Sequence, residues 1–207
     1  MFERELDEAS LTQVGAHRAL RDATAQRHAA IEAVLALRRP FGRGHYTHVL
    51  QGFGAFLAGW EPLMARALPA RWQDWFAATR RLDLVQRDLA ALGAPWRPVT
   101  PALPTLDSLP AALGSLYVLE GSALGGQFIA AQARRLLGLT PAHGASYFHG
   151  CGTSTVPRWR DFLGRLAAEI DAVPQGLAEA TQAANATFDA LTDTFLRRLD
   201  TSERAAA

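Results

Sequence analysis

The histidine at position 28 stands in a segment whose apolar residues recur at helical spacing, with a carboxylate one helical turn away at Glu32. On a helix, a side chain at i+4 can reach one ring nitrogen of an imidazole, which leaves the other nitrogen to bind a metal. A carboxylate behind an imidazole also orients a metal-bound histidine. A histidine on an apolar helix face is, however, more often a buried residue whose hydrogen bonds are satisfied. The position of His28 alone therefore favours the structural interpretation over a ligand.

Arg21 precedes His28 by seven residues, which puts it on the same side of a helix and about 10 Å away along the axis. This separation suits a ligand with a metal near its centre and an anionic edge. The competing interpretation is a solvated arginine that pairs with its neighbour Asp22. All 21 basic residues of the chain are arginine, so any basic contact to an anion would use a planar guanidinium.

A second segment, Leu113 to Leu137, also has helical spacing of its apolar residues, yet it contains Gly114, Gly121, Gly125 and Gly126. Each interior glycine costs a helix about 0.5–1 kcal/mol relative to alanine, so four cost about 2–4 kcal/mol. Spacings of seven and four residues place the first three on one face. Such a strip of bare backbone indicates either a close crossing with another helix or a flat ligand lying against it.

The surrounding pattern predicts an all-α fold. The helix with His28 is predicted over Leu11–Leu37, and its inner stripe follows steps of three and four residues: Leu20, Thr24, His28, Ile31 and Leu35. Other helices are predicted from Gly44 to Leu68, from Arg71 to Leu92 with a break near Arg80–Arg81, from Pro157 to Ala172 and from Pro174 to Leu199. No run of alternating strand residues appears, so we expect a single-domain bundle of about seven or eight helices.

The connections carry ordinary start and stop signals. Four prolines make residues 93–107 an irregular link, and Asp107 or Ser108 is the expected N-cap of the glycine-rich helix. Pro110 falls in its first turn and Gly138 ends it. The expected domain boundaries are a flexible N-terminus over 1–10, the helical domain over 11–200 and a disordered tail over 201–207.

Composition excludes several classes of protein. The 207 residues suit one domain, and 21 basic against 20 acidic residues give no indication of nucleic-acid binding. Cys151 has no cysteine to pair with, which favours a reducing compartment. The first residues lack a signal-peptide pattern, and no run of about 18 uncharged apolar residues predicts a membrane span. A cytoplasmic location is therefore the expectation.

Two segments together resemble the heme oxygenase family. Residues 20–32, LRDATAQRHAAIE, resemble its heme-ligand helix, and residues 117–127, YVLEGSALGGQ, resemble its glycine-rich distal helix. The segments YFHGCG at 147–152 and ATF at 186–188 are similar to the bacterial branch that is often encoded beside bacteriophytochromes. The resemblance spans about Leu11 to Leu199.

The resemblance implies roles for individual residues. His28 would be the axial iron ligand, and Arg21 would lie near the heme propionates. A catalytic role is implied for Gly121, Ser122 and Gly125 on the distal face. The full set of implied heme contacts is Arg21, His28, Tyr117, Gly121, Gly125, Gly126 and Phe188. A further propionate contact is expected from the helix after Pro157, with Arg158, Arg160 and Arg165 as candidates.

The implied reaction uses heme as both cofactor and substrate. With dioxygen and an external electron donor of the ferredoxin or flavin-reductase type, the ring is opened to biliverdin, carbon monoxide and ferrous iron. The purpose would be iron recovery or the supply of a bilin chromophore, with a bacteriophytochrome as the receiving partner. The resemblance does not indicate which meso carbon is cleaved.

Ser122 departs from the animal pattern, which has an aspartate immediately after the first distal glycine. Serine can hydrogen-bond water but carries no charge. Three alternatives to a heme oxygenase stay open: a heme carrier without turnover, another enzyme on the same scaffold such as a thiaminase-like protein, and a helical interaction module. Fold alone does not choose among them.

Overall fold

The computed structural model describes the backbone of residues 2–95 and 101–206, and the side chains of residues 15–95 and 101–197. Within these ranges the protein forms eight α-helices, two of them short, and one turn of 3-10 helix at Gly152–Ser154. The helices are α1 Phe2–Leu35, α2 Arg43–Ala67, α3 Ala70–Ala77, α4 Leu82–Ala91, α5 Leu109–Leu137, α6 Ser146–His149, α7 Thr155–Asp171 and α8 Gly176–Ala206. The described residues form only isolated β-bridges around Thr140, which confirms the predicted all-α fold class.

The two terminal helices are longer than the sequence predicts. Helix α1 begins at Phe2 rather than Leu11, and α8 continues to Ala206 rather than ending near Leu199. Helix therefore covers most of the segments assigned to a flexible N-terminus and a disordered tail. Neither segment contains proline or glycine, so nothing in it stops the adjoining helix. No described helix has the length and apolar character that a bilayer crossing requires.

Helix α5 begins and ends where its signals indicate. The Ser108 side chain is its N-cap and accepts a hydrogen bond from the amide of Ala111 at 3.2 Å. Pro110 lies in the first turn, and Gly138 closes the helix in the left-handed region at φ 69°. The break predicted near Arg80–Arg81 separates α3 from α4. Of the irregular link over 93–107, residues 96–100 lie outside the described part of the chain.

The core of the bundle is formed where α5 and α1 pack against α8. Every residue of α5 from Ala112 to Glu120 is buried. A Cβ at Gly114 would overlap the backbone of Ala180 on α8, so this glycine permits a close helix crossing. Helix α1 also packs against α8, and at the surface Arg27 of α1 pairs with Asp189 of α8, with Nε and Oδ1 2.8 Å apart. The crossing holds α5 firmly in its first half.

A buried aspartate fixes the segment that precedes α7. Asp88 of α4 is 1% exposed, and its carboxylate accepts hydrogen bonds of 2.8 Å from the amides of Ser146 and Tyr147 and from the Ser146 hydroxyl. These bonds satisfy the amino end of α6, a turn of helix that the sequence does not predict. As a result, Tyr147 and Phe148 are held as aromatic walls beside α5.

Candidate functional site

A cleft lies between α1 and the second half of α5. Its floor is formed by His28, Ile31, Glu32 and Leu35 of α1, and its roof by α5 residues between Val118 and Ile129. Aromatic side chains close its sides: Phe53, Tyr147, Phe148 and Phe188. The cleft is therefore mostly apolar, and its few polar groups are concentrated on the floor and the roof.

The cleft is open at the carboxyl end of α1. Its cavity volume is about 130 Å³, and the surrounding concave space, which includes open solvent, measures about 810 Å³. Beyond Glu32 and Leu35 it continues into a groove lined by Arg38 and Phe128, whose ring is 55% exposed. Because ligand pockets usually measure about 300–1,000 Å³, a large flat ligand would extend through this mouth.

His28 presents an accessible imidazole to the cleft. Its side chain is 55% exposed, and its ring meets the Phe188 ring edge-on at a centroid distance of 5.9 Å. The Nε2 atom lies 3.9 Å from Oε1 of Glu32, which is beyond hydrogen-bonding distance. The Glu32 carboxylate instead accepts a 2.9 Å bond from Arg38. The interpretation of His28 as a satisfied core histidine is therefore wrong.

The four glycines of α5 do not share one explanation. Gly114 faces Ala180, and a Cβ at Gly126 would lie 2.8 Å from the carbonyl oxygen of Phe148, so both permit close backbone packing. A Cβ at Gly121 would make only an ordinary contact, 3.5 Å from the Trp159 ring. At Gly125 nothing lies within 4 Å of such an atom. Packing therefore leaves Gly125 unexplained, and Gly125 is on the roof of the cleft.

Ser122 lines the roof beside these glycines, and its hydroxyl donates a 2.7 Å hydrogen bond to the carbonyl of Leu119. The same carbonyl accepts a 2.8 Å bond from Nη1 of Arg81, which also lines the cleft. Nη2 of Arg81 lies 2.8 Å from a carboxylate oxygen of Glu120, and the two side chains are only 12% and 5% exposed. A buried ion pair thus lies beside the roof, and its arginine and Ser122 donate to the same carbonyl of Leu119.

Sequence reasoning missed Arg81 and Glu120. A signal was present, because Glu120 follows the apolar run Leu116–Leu119 on a helix that is buried on all sides at that point. A carboxylate in such a position is rarely buried without a partner, so a cation had to be sought on a neighbouring element. The spacing of charges within α5 offered no candidate, since Arg81 comes from the α3–α4 connection.

Two predicted contact residues lie outside the lining of the cleft. Arg21 pairs with Asp22 at 3.3 Å, which is the solvated arrangement considered as the alternative. Tyr117 is 7% exposed and packs against Trp159 and His17, with ring centroids 5.4 and 6.2 Å away. Burial raises the pKa of Tyr117 to about 12, and burial and Arg21 lower the pKa of His17. Helical spacing does not show that Trp159 of α7 packs against Tyr117.

The arginines proposed on α7 have other partners. Arg158 donates a 2.8 Å bond to the carbonyl of Trp75 and lies 4.3 Å above the centre of its ring. Arg165 pairs with Asp161 at 3.0 Å on the exposed side of the helix. Neither side chain lines the cleft, so the structure does not bring these two to the anionic edge of a bound ligand.

The donor groups of the cleft fit a flat apolar ring that carries a metal ion. Such a ring needs one protein ligand on one face, open space on the other and apolar walls around its edge. His28 supplies the metal ligand, and the bare backbone at Gly125 leaves open space on the opposite face. The aromatic side chains supply the apolar walls. Phe188 and Gly126, both predicted contacts, also line the cleft.

Comparisons with known proteins give a consistent set of relatives, although no family profile matches the chain. The chain is 32% identical to a heme oxygenase of Xanthomonas campestris pv. campestris over 158 residues, 73% of this chain and 92% of that protein. It is 30% identical to the heme oxygenase PigA of Pseudomonas aeruginosa over 177 residues, 83% and 89% of the two chains. A solved structure of the NO- and CO-bound heme oxygenase of Neisseria meningitidis superposes with a TM-score of 0.72 at 25% identity, covering 88% of this chain and 90% of that one.

Proposed function

Since the chain belongs to the heme oxygenase family, we propose that it opens the ring of heme oxidatively to biliverdin, carbon monoxide and ferrous iron. The observation that carries the proposal is the pairing of an accessible imidazole at His28 with unfilled space at Gly125 across one apolar cleft. Bound heme would supply the iron at which dioxygen is reduced by an external electron donor of the ferredoxin or flavin-reductase type.

His28 would hold the iron as a neutral imidazole. The edge-on contact with Phe188 limits rotation of the ring, and Glu32 lies close enough to bond the imidazole after a small movement. That movement would cost the bond from Arg38 to Glu32, so binding would loosen an ion pair at the mouth of the cleft. His28 would therefore act as the metal ligand, with Phe188 as an orienting wall.

The roof would leave room for dioxygen and hold a water molecule beside it. Gly121 and Gly125 place no side chain over the cleft, and the aromatic walls limit access of bulk water. The proton of the Ser122 hydroxyl is already donated to Leu119, so its oxygen presents lone pairs as acceptors. Ser122 can therefore fix a water through an acceptor oxygen, without the negative charge of an aspartate.

The carboxylate edge of heme would be held by guanidinium groups at one end of the cleft. Arg21 is proposed by family resemblance and would have to exchange Asp22 for a propionate. Arg38, at the mouth, is the competing cation. Comparing the bilin isomers formed by Arg21→Gln and Arg38→Gln tests this, because the in-plane rotation of heme decides which meso carbon is cleaved. A changed isomer with Arg21→Gln alone supports Arg21, and with Arg38→Gln alone supports Arg38.

Tyr117 and Gly126 are proposed to act indirectly. Tyr117 would shape the Arg21 end through its contacts with His17 and Trp159, and Gly126 would keep Phe148 close to the roof. A cytoplasmic location, a role in iron recovery or bilin supply, and delivery of biliverdin to a bacteriophytochrome belong to the same proposal.

A heme carrier without turnover is the second candidate, and Ser122 in place of a carboxylate favours it. Another enzyme on this scaffold would need a thiol or phenol beside a carboxylate in the cavity. Cys151 is exposed and lies outside the cleft lining, which argues against a thiol-based reaction there.

Titration of the purified protein with hemin, followed by addition of a reductant in air, tests the proposal. We expect a saturable shift of the Soret band and then a biliverdin spectrum. Stable heme binding without conversion would identify a carrier, and the absence of saturable binding would contradict both candidates. His28→Ala should abolish turnover and recover part of it with added imidazole. His143→Ala, which removes an exposed histidine that does not line the cleft, is the control and should behave as the parent.

A further inference from the structure

A row of aromatic rings leads from the roof of the cleft towards the surface between α3 and α7. It begins behind Gly121, which lines the cleft, because a Cβ at that position would lie 3.5 Å from the Trp159 ring. Trp159 packs against Phe162 with ring centroids 5.7 Å apart, and Phe162 packs against Trp75 with ring centroids 5.4 Å apart. These three residues form the aromatic row, which the α5 backbone separates from the cleft.

Packing accounts for the ring contacts but not for the groups that receive the indole protons. Aromatic rings at these distances stabilise a core by themselves. The Nε1 atom of Trp75, however, donates a 3.0 Å hydrogen bond to Oδ2 of Asp161, and Nε1 of the neighbouring Trp72 donates a 3.0 Å bond to Oε1 of Glu169. Both acceptors are carboxylates, so each can take up a proton from a stronger acid as well as accept a hydrogen bond.

Trp60 of α2 provides a contrast within the same protein. Its Nε1 donates a 2.9 Å bond to the hydroxyl of Ser115, and both side chains are buried. An indole that loses one electron becomes a strong acid at Nε1, so the electron leaves more readily where a base can accept the proton. A neutral hydroxyl is a much weaker base than a carboxylate. Electron loss is therefore easier at Trp75 than at Trp60.

The charges near the outer end of the row require that electron and proton leave Trp75 together. The Arg158 guanidinium lies 4.3 Å from the centre of the Trp75 ring and opposes a second positive charge there. Oxidised Trp75 is therefore stable only after its proton has passed to Asp161. The Asp161 side chain is 49% exposed and pairs with Arg165 at 3.0 Å, so it can release the proton to solvent.

Trp72 is less suited to be the end of the path. Its ring centroid lies 5.6 Å from that of Trp75, close enough to exchange an electron with it. Its acceptor Glu169 also accepts two hydrogen bonds from Arg71, at 2.8 and 2.7 Å. These bonds lower the pKa of Glu169 and weaken it as a base. The outer end is therefore assigned to Trp75.

We propose that the aromatic row supplies electrons to heme bound in the cleft when an organic hydroperoxide oxidises it. The hydroperoxide takes up two electrons and two protons from solvent as its O–O bond breaks, and an alcohol and a water molecule form. Each electron comes from Trp75 by way of Trp159, with Phe162 as the bridge between the two indoles. The Nε1 proton of Trp75 passes to Asp161 and then to solvent. A small reductant of the ascorbate class returns one electron and one proton to Trp75 before the second electron leaves.

The row would protect the cleft from oxidation. Without it, oxidised heme would draw electrons from the side chains nearest to it, and Tyr147 is the readily oxidised aromatic residue among those that line the cleft. The inference rests on the heme-binding part of the proposed function, since heme is the group that carries one-electron chemistry. It does not require that the heme ring is opened.

The first test uses the parent protein. Its hemin complex is mixed with one equivalent of tert-butyl hydroperoxide, without a reductant, and frozen for electron paramagnetic resonance. We expect the spectrum of a neutral tryptophan radical, and peptide mass spectrometry should find added oxygen at Trp75 and none at Trp60. The hemin-free protein, treated in the same way, should stay unmodified. Added oxygen at Tyr147 in place of Trp75 would overturn the inference.

The second test interrupts the row at its inner end. Trp159→Phe keeps a ring that can pack against Phe162 but removes the indole nearest to the cleft. Hemin affinity should stay as in the parent, because Trp159 does not line the cleft. Added oxygen should be lost from Trp75 and appear at Tyr147. Oxidation of Trp75 at the level of the parent would show that electrons do not pass through Trp159.

The third test concerns the proton acceptor. Asp161→Asn keeps an oxygen that can accept the hydrogen bond from Trp75 but cannot take up its proton, so the yield of the neutral tryptophan radical should fall severalfold. Asp193→Asn makes the same change in the exposed ion pair with Arg197 on α8 and should leave the yield as in the parent. Equal yields in the two variants would contradict the role of Asp161.

The outcomes for the row and for the proposed function can be told apart. If the parent binds hemin and converts it to biliverdin, but the hydroperoxide leaves Trp75 unmodified, the inference fails and the proposed function stands. If the parent binds hemin without converting it, ring opening fails, while oxidation of Trp75 by the hydroperoxide still supports the row. If hemin does not bind saturably, both fail.

Discussion

The substitution Gly125→Ala tests whether this position is glycine because a ligand lies against it or because the protein itself packs closely there. In the ligand-free protein nothing lies within 4 Å of a Cβ at this position, so the methyl group meets no clash. Replacing an interior helical glycine by alanine then stabilises the helix by about 0.5–1 kcal/mol, because the unfolded chain loses conformational freedom. The structure therefore predicts that the substitution stabilises the protein and harms its function.

The sizes of the effects on thermal stability and on hemin affinity can both be estimated. For a domain of this size, 1 kcal/mol shifts the melting temperature by roughly 2–4 °C, so the ligand-free variant should melt about 1–4 °C above the parent. If heme lies against this backbone, the methyl group overpacks the complex at a cost of about 1–3 kcal/mol. That cost corresponds to hemin affinity weaker by roughly fivefold to a hundredfold.

Thermal melts of the ligand-free proteins and hemin titrations followed at the Soret band measure the two effects. Gly126→Ala is the matched comparison one residue along, and its Cβ would lie 2.8 Å from the Phe148 carbonyl oxygen. This variant should melt below the parent before any hemin is added. The reasoning is refuted if Gly125→Ala destabilises the ligand-free protein, or if it binds hemin as tightly as the parent.

Three further substitutions test the bundle. His17→Gln should flatten the fall in melting temperature as the pH drops below 6.5, because burial and Arg21 lower the pKa of His17 and the unfolded chain takes up a proton that the folded protein resists. Asp88→Ala leaves three buried donors unpaired and should cost about 3 kcal/mol or more in urea unfolding. Tyr46→Phe loses the 3.0 Å bond to the Gly144 carbonyl and should cost about 1 kcal/mol by the same measurement.

Most of the fold could be predicted from the sequence because its signals are local. Ser108, Pro110 and Gly138 begin and end α5 as capping chemistry requires, and the apolar stripe of α1 puts Leu20, Thr24 and Ile31 into the core. The helix ends at Phe2 and Ala206 were missed, because no breaker marks them. The single turn of α6 was missed because it depends on Asp88, which is remote in sequence.

The candidate site could be predicted only in part. His28, Ser122, Gly125 and Phe188 do line one cleft, as the resemblance implies. Helical periodicity gives the face on which a residue lies but not the element that covers it. Gly114 and Gly125 share a face of α5, yet one is covered by α8 and the other by nothing. For the same reason the position of Arg81 behind the roof could not be read from residue spacing.

The uneven burial of α5 also divides the helix by its resistance to local unfolding. Every residue from Ala112 to Glu120 is buried, whereas from Gly121 to Ala131 Gly126 alone is buried. Backbone amides in the first half should exchange with deuterium only when the whole bundle opens, while those in the second half exchange through local opening. A ligand in the cleft would slow exchange in both halves: in the second half because local opening is suppressed, and in the first half because the free energy of global unfolding rises. The buried first half thus anchors α5, while the second half, which forms the roof of the cleft, can open and close locally.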